Sequence, residues 1–371
     1  MEIKSLPFYY KSHSTGDNGG LPHTMPFDLF YDEELYLLRQ KPSELLAQVL
    51  EKVYIEGSLV DGSISSESGL HYVNPVMDYI FSQTNLQNNS KILEIGFGTG
   101  IFLREFKRLG YRNLTGIEPG KHRICKGLEG VNLISDFYPS AKYLEKVDLV
   151  FHCLVLEHIE DPLAFLESQK FQLSDNGKII FFVPNEEPFL DAGDCSSFIH
   201  EHFSFFTKKS IVALAEKAGM SVKDISIIDG LLAVTLGFGQ SAIDVNLESA
   251  HFDYKVYLRK VDASLEAIQK FLDRYPHPSD VALYVPGRAM NFMYLINCHT
   301  PRLVDDSSEV QGKFLPFFER PIESFQSIVQ DAPKAILIFS RTFGRRIKNK
   351  CANEATLRDC DIYILDEILH A

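Results

Sequence analysis

From Ser90 onward, short apolar runs alternate with stretches whose apolar positions recur at helical spacing. KILEI (91–95) predicts a buried strand followed by a glycine loop, and IFLREFKRLG continues as an amphipathic helix with Ile101, Leu103, Phe106 and Leu109 on its apolar side. NLTGIEPG, VNLISDF, VDLVFHCLVLEH and GKIIFFVPN predict four further strands, the last after a turn at Ser174-Asp175-Asn176-Gly177. Strands alternating with helices make right-handed crossovers and a parallel sheet, whose binding crevice lies at the carboxyl ends of its strands. Before this block, ELYLLRQKPSELLAQVLEKVYI reads as a helix pair interrupted at Pro42, followed by a Ser- and Gly-rich stretch over 57–70. After it, a helical stretch leads into DVALYVPGRAMNFMYLIN, PRLV, KAILIFS and CDIYIL, which read as a second, smaller α/β unit. The expected division is a helical cap or lid over 1–87, a Rossmann-like domain over 88–235 and a C-terminal α/β domain over 236–371.

Composition narrows the function. The 371 residues are 45% apolar and 23% charged, as in ordinary globular chains. A net charge of −13 argues against a nucleic-acid partner, because phosphate backbones require a basic face. No apolar run reaches the ~20 residues that span a bilayer, and MEIKSLPFYYKSHS has no apolar signal core, so a cytoplasmic location without membrane partners is expected. The six cysteines, at 125, 153, 195, 298, 351 and 360, form no CxxC pair and read as reduced thiols. His152, Cys153 and His158 are close in sequence but lack metal-ligand spacing, so no residue is assigned as a metal ligand.

The candidate chemistry gathers at predicted strand ends. The first carries Glu94-x-Gly96-Phe97-Gly98-x-Gly100, glycine at every second position with an acid two residues ahead. Glycines admit close backbone approach, and the helix amides behind them favour an anion. The acid suits a cation, so the pair fits an amino-acid moiety better than a pyrophosphate. Glu118-Pro119 closes the second strand, where a carboxylate can accept from ribose hydroxyls. Asp136-Phe137 closes the third, where a carboxylate and a ring can hold an adenine. After the fifth comes FIHEHFSFFT (198–207), three ionisable side chains among four phenylalanines, which suits a dry pocket wall carrying a proton acceptor.

EIGFGTG, Glu118 and Asp136-Phe137, in that order, resemble the cofactor site of class I S-adenosylmethionine-dependent methyltransferases over residues 88–230. The resemblance implies a Rossmann-like methyltransferase sheet, S-adenosylmethionine as cofactor, and contacts to it from Glu94, Gly96, Phe97, Gly98, Gly100, Glu118, Pro119, Asp136 and Phe137. HEHFSFFT further resembles the HEHxxYFS stretch of sugar C-methyltransferases, which act on nucleotide-linked deoxysugars. That resemblance implies His202 as general base, Glu201 as an orienting or substrate-contacting carboxylate, and His158 beside the reacting carbon. It also implies a C-terminal domain that helps seat a nucleotide sugar, here with Arg288 in the turn Val285-Pro286-Gly287-Arg288 and with Lys313. Ser65, Ser66, Ser68 and Tyr72 are expected to form a lid, Tyr72 also touching substrate. The chain departs from that pattern in three places: no cysteine precedes Cys125, where the family has a zinc module; Ile199 stands at the tyrosine before HEH; and Asp61 and Ser63 replace tyrosines near SISSES. Methylation of oxygen or nitrogen on a glycan precursor or other small metabolite is therefore an alternative, as is a non-catalytic module that binds the cofactor or a glycan.

Overall fold

The computed structural model describes residues 3–16, 18–56, 72–120, 126–243 and 252–369. Asp61, Ser63, Ser65, Ser66, Ser68 and Cys125 lie outside the described residues. The chain forms two compact units, one of residues 29–187 and 201–251, the other of residues 1–28, 188–200 and 252–371.

The first unit is built on a seven-stranded sheet: β1 (Lys91–Ile95), β2 (Asn113–Ile117), β3 (Asn132–Ile134), β4 (Val147–Cys153), β5 (Leu173–Pro184), β6 (Ser221–Ile228) and β7 (Leu231–Gly237), ordered β6-β7-β5-β4-β1-β2-β3. β1 to β5 pair in parallel, and β7 and β6 close one edge antiparallel. Because side chains alternate across a strand, neighbouring apolar residues feed opposite faces. Leu93, Ile95, Val150, Phe181 and Val183 enter one core with the helices Pro162–Gln172 and Lys208–Lys217. Ile92, Leu149, Phe151, Ile180 and Phe182 enter the other with Val73–Gln83 and Ile101–Arg108. Burial on both faces is why these strands read as unbroken apolar runs.

Local chemistry explains the joints. Asp229 and Gly230, with φ of 47° and 84°, make the two-residue turn between β6 and β7, the positive-φ pair a tight hairpin requires. The expected turn at 174–177 lies within β5: Val147 pairs with Leu173 and Leu149 with Lys178, so the intervening residues bulge from the ladder. In the helix Ile101–Arg108, Phe102, Leu103 and Phe106 are the buried positions and Leu109 is exposed, a shift of the apolar stripe from the sequence reading.

The N-terminal segment differs from a helical cap. Leu37–Gln40 is a strand paired with Leu29–Asp32 on one side and Ser204–Phe205 on the other, and the helix starts at Glu44. A partner some 165 residues downstream, Ser204 opposite Arg39, satisfies this backbone, so sheet pairing overrides the local helical pattern. Residues 5–7 and 24–26 also pair as strands, within the second unit.

The second unit contains β8 (Val281–Tyr284), β9 (Arg302–Val304), β10 (Ile322–Glu323), β11 (Ala335–Ile338) and β12 (Asp361–Ile364), a parallel sheet ordered β10-β9-β8-β11-β12. β8 passes into the helix Pro286–Leu295 through Val285, whose φ is 62°. Among the described residues, no helix is long and apolar enough to cross a membrane.

Candidate active site

A cavity of about 410 Å³ opens at the carboxyl ends of β1, β2 and β4. Its floor is the loop after β1, where Gly96 and Gly98 have φ of 67° and 55°. A side chain at Gly96 would meet Val155 Cγ2 at 2.6 Å, so the sequence leaves this wall no room for a Cβ. Glu118, at the end of β2, accepts from the amides of Gly98 at 3.1 Å and Gly120 at 2.9 Å. These bonds lock the carboxylate in the wall. Glu94 is 2% exposed, and its Oε2 has no hydrogen-bond partner. Burial pushes the Glu94 carboxyl well above its ordinary range, the Leu103 amide opposes this, and the charge of Glu118 adds to it.

A buried acid with one unpartnered oxygen, beside positive-φ glycines and a fixed second carboxylate, fits a ligand carrying both an ammonium and hydroxyls. S-adenosylmethionine has both. Gly96, Phe97, Gly98, Glu118, Pro119 and Phe137 line the cavity with Glu94, and Phe137 is 60% exposed, its ring free to cover a flat ligand. Gly100 precedes the helix Ile101–Arg108 and does not line the cavity. Neither does Asp136: its carboxylate accepts from Ser140 Oγ at 2.8 Å and the Phe137 amide at 3.0 Å and pairs with Lys142 at 3.1 Å. The Ser140 and Lys142 contacts hold its pKa below the usual value.

The opposite wall follows β4. Leu154 adopts φ 57°, which is strained for a branched side chain. The turn it starts carries Glu157 and His158 as a short 3-10 helix. His158 lines the cavity, and its Nδ1 lies 2.9 Å from the Glu201 carbonyl. With Nδ1 donating there, Nε2 is left as the acceptor. Burial depresses the His158 pKa to about 4, so the ring is neutral. The His202 ring stands edge-on to it, centroids 4.9 Å apart. Backbone bonds set this juxtaposition: the Phe203 amide donates to the Glu157 carbonyl at 2.7 Å, and Gln40 Nε2 donates to the His202 carbonyl at 3.3 Å. His202 and Glu201 are 8% and 0% exposed and stand behind the lining residues. FIHEHFSFFT is thus divided, since His200 belongs to the second unit, where it packs against Phe8 and Phe27 and reaches the Met25 carbonyl. None of its residues lines the cavity: the segment is core, and His202 backs the wall that His158 forms.

Some site residues escape the sequence reading. Glu157 is 1% exposed with neither carboxylate oxygen partnered, and burial lifts its pKa to about 8. Glu157, His158 and His202 each offer a ligand atom within 4.8 Å of the others, a set that could hold a divalent cation. The LEH triplet carried that signal, but the metal reading weighed only His152, Cys153 and His158. His152 instead stacks on Phe181 in the core. Tyr54, Tyr138, Cys153 and Glu160 also line the cavity, and no motif announces them.

The cavity lining includes none of the three expected substrate contacts. Tyr72 starts the helix Val73–Gln83 and is not a lining residue of the cavity. Arg288 belongs to the second unit, where it sits over the Phe189 ring at 5.7 Å and donates to the Ser196 carbonyl at 3.5 Å. Lys313 is in the same unit, its backbone bonded to Val310 and Ile322.

Residues 71–224 match the family described as "Methyltransferase domain". The chain is 27% identical over 177 residues to the ubiquinone biosynthesis O-methyltransferase of Aeromonas salmonicida (strain A449), covering 42% of this chain and 74% of that protein. It is 24% identical over 176 residues to the C-methyltransferase NovU of Streptomyces niveus, covering 45% of this chain and 41% of that protein. Among solved structures, the Burkholderia thailandensis 1,6-didemethyltoxoflavin-N1-methyltransferase aligns at 13% identity and a TM-score of 0.41, covering 54% of this chain and 94% of that one. The fold is that of Rossmann-like methyltransferases, and the protein is an S-adenosylmethionine-dependent methyltransferase.

Proposed function

We propose that this methyltransferase acts on a nucleotide-linked or otherwise activated sugar, with His202 taking the proton from the acceptor. The observation that carries this reading is the His158–His202 pair: His158 lines the cavity together with Glu94 and Glu118, and His202 packs edge-on behind it. When bound, S-adenosylmethionine supplies an electrophilic methyl group. The protein then has to align and to deprotonate. Glu94 and the 96–100 loop are proposed to hold the amino-acid end, Glu118 and Pro119 the ribose, and Asp136 and Phe137 the adenine end. Such alignment is equivalent to ~10⁵ M or more in effective concentration. His202 is proposed as the base, with the Glu201 carboxylate orienting the pair and the Glu201 carbonyl fixing the His158 tautomer. The likeness of HEHFSFFT to the sugar C-methyltransferase stretch, and the distant likeness to NovU, support a sugar acceptor. Tyr72 is proposed as a further contact to that acceptor.

A second reading is O-methylation of a small hydroxylated metabolite. The likeness to ubiquinone biosynthesis O-methyltransferases and the absence of the tyrosine at Ile199 favour it. One experiment separates them. The enzyme is incubated with S-adenosyl-L-[methyl-¹³C]methionine and either nucleotide-linked keto sugars or catechols, and products are read by NMR. A methyl on a sugar ring carbon supports the first reading. An O-methyl resonance from catechols alone overturns it in favour of the second.

A further inference from the structure

Tyr54 sits near the end of the helix Glu44–Glu56 and lines the same cavity as Glu94 and His158. Its ring stands edge-on to His158, centroids 6.3 Å apart. Its hydroxyl is buried and has no hydrogen-bond partner among the described residues. A buried phenol without a partner is costly, so such groups call for a function or an absent ligand. Glu201, Glu157 and Glu160 are the acidic groups that face it, and a phenol, with an ordinary pKa of about 10, keeps its proton near neutral pH. It can therefore donate a hydrogen bond at any physiological pH. The departures at Ile199, Asp61 and Ser63 remove the phenols expected on the acceptor side, and Tyr54 brings one to the cavity from a different element.

We propose that Tyr54 Oη donates a hydrogen bond to the acceptor oxygen that carries negative charge once the acceptor's proton has left. This rests on the deprotonating role proposed for His202. The acceptor gives its proton to the imidazole, and its electron pair forms the bond to the methyl carbon. The carbon–sulfur bond breaks, the sulfur keeps that pair as a neutral thioether, and Tyr54 retains its own proton throughout. The role holds for an enolate oxygen beside a carbon acceptor and for an oxygen acceptor alike.

The test compares wild type with Tyr54→Phe, which removes only the hydroxyl. With an acceptor accepted by the wild type, kcat should fall about 10²-fold, as on loss of one oxyanion donor. S-adenosylhomocysteine affinity should stay within about twofold, and the melting temperature should hold or rise, because no protein hydrogen bond is lost. As a readout independent of turnover, 4-nitrophenolate bound to the S-adenosylhomocysteine complex should bind about tenfold more weakly to the variant, the loss expected for one hydrogen bond to a charged oxygen. Equal turnover, or equal 4-nitrophenolate affinity, overturns the role of Tyr54 and leaves the acceptor reading standing. A variant that loses stability together with S-adenosylhomocysteine affinity overturns it in favour of packing. A wild type that transfers methyl to neither acceptor class overturns both proposals.

Discussion

Glu94→Gln removes an ionisable group from the cavity wall and leaves its shape. The side chain is almost fully buried and one of its oxygens lacks a partner, so the cofactor's ammonium would be its natural counter-ion. Removing one member of a buried charge pair costs about 2–5 kcal/mol. The lower end applies here. Burial keeps the Glu94 carboxyl protonated well above the usual carboxylate range, and releasing that proton to meet the ammonium costs about 1.4 kcal/mol for each pH unit that separates the pKa from the assay pH. The expected loss is about 2 kcal/mol, or about 30-fold in Kd. Isothermal titration with S-adenosylhomocysteine measures it. Run in buffers of different ionisation enthalpy, the wild type should release a proton on binding and bind more tightly as pH rises, whereas Glu94→Gln should do neither. The melting temperature of the unliganded variant should not fall, since a desolvated acid has been replaced by a neutral amide. Equal affinities, or the same proton release from both proteins, would place the ammonium elsewhere and refute the reasoning.

Three further outcomes are expected. Gly98→Val puts a β-branched side chain at φ 55°, at a cost of at least 1–2 kcal/mol, and projects it into the cavity, so S-adenosylhomocysteine binding should be lost; retained affinity would show that the ligand avoids this loop. His202→Ala should lower turnover about 10²-fold or more with cofactor affinity nearly unchanged, and the wild type should keep its activity after EDTA treatment. Activity lost to EDTA and restored by a divalent metal would instead make Glu157, His158 and His202 a metal site. Buried His152 is held neutral, its pKa depressed to about 3 from 6.5 by burial. Below pH 6.5 the unfolded chain takes up a proton that the fold refuses, so stability present above that pH is lost progressively down to about pH 3. At about 1.4 kcal/mol per pH unit the gap amounts to about 5 kcal/mol. In denaturant titrations at pH 7 and pH 4 the wild type should therefore lose stability relative to His152→Gln as the pH falls, and parallel stabilities would exclude the linkage.

Much of the first unit was legible because its strands are buried on both faces. Ile92, Leu93, Ile95 and Ile179–Val183 are apolar without interruption, and the glycines between strand and helix mark the crevice. Glu94, Glu118 and the glycine loop stand where their spacing placed them, around one cavity. Asp136 is the instructive exception. Its position after β3 is as expected, but Ser140 and Lys142, four and six residues on, engage its carboxylate, and no strand pattern encodes that. Leu37–Gln40 reads as helix from local periodicity alone, because its partner Ser204–Phe205 is remote in the chain. Tyr54 and Glu157 were invisible for a different reason. Each looks ordinary in its own segment and becomes unusual only once burial strips away its partners.

The two imidazoles are brought together by the main chain. Phe203 donates its amide to the Glu157 carbonyl, and its own carbonyl accepts from the Gln40 amide at 3.0 Å. Neither bond depends on which side chains stand at 157, 158 or 202. Replacing those residues would change what the pocket can react with while leaving intact the brace that aims them. New acceptor chemistry could thus be tried on this scaffold one side chain at a time.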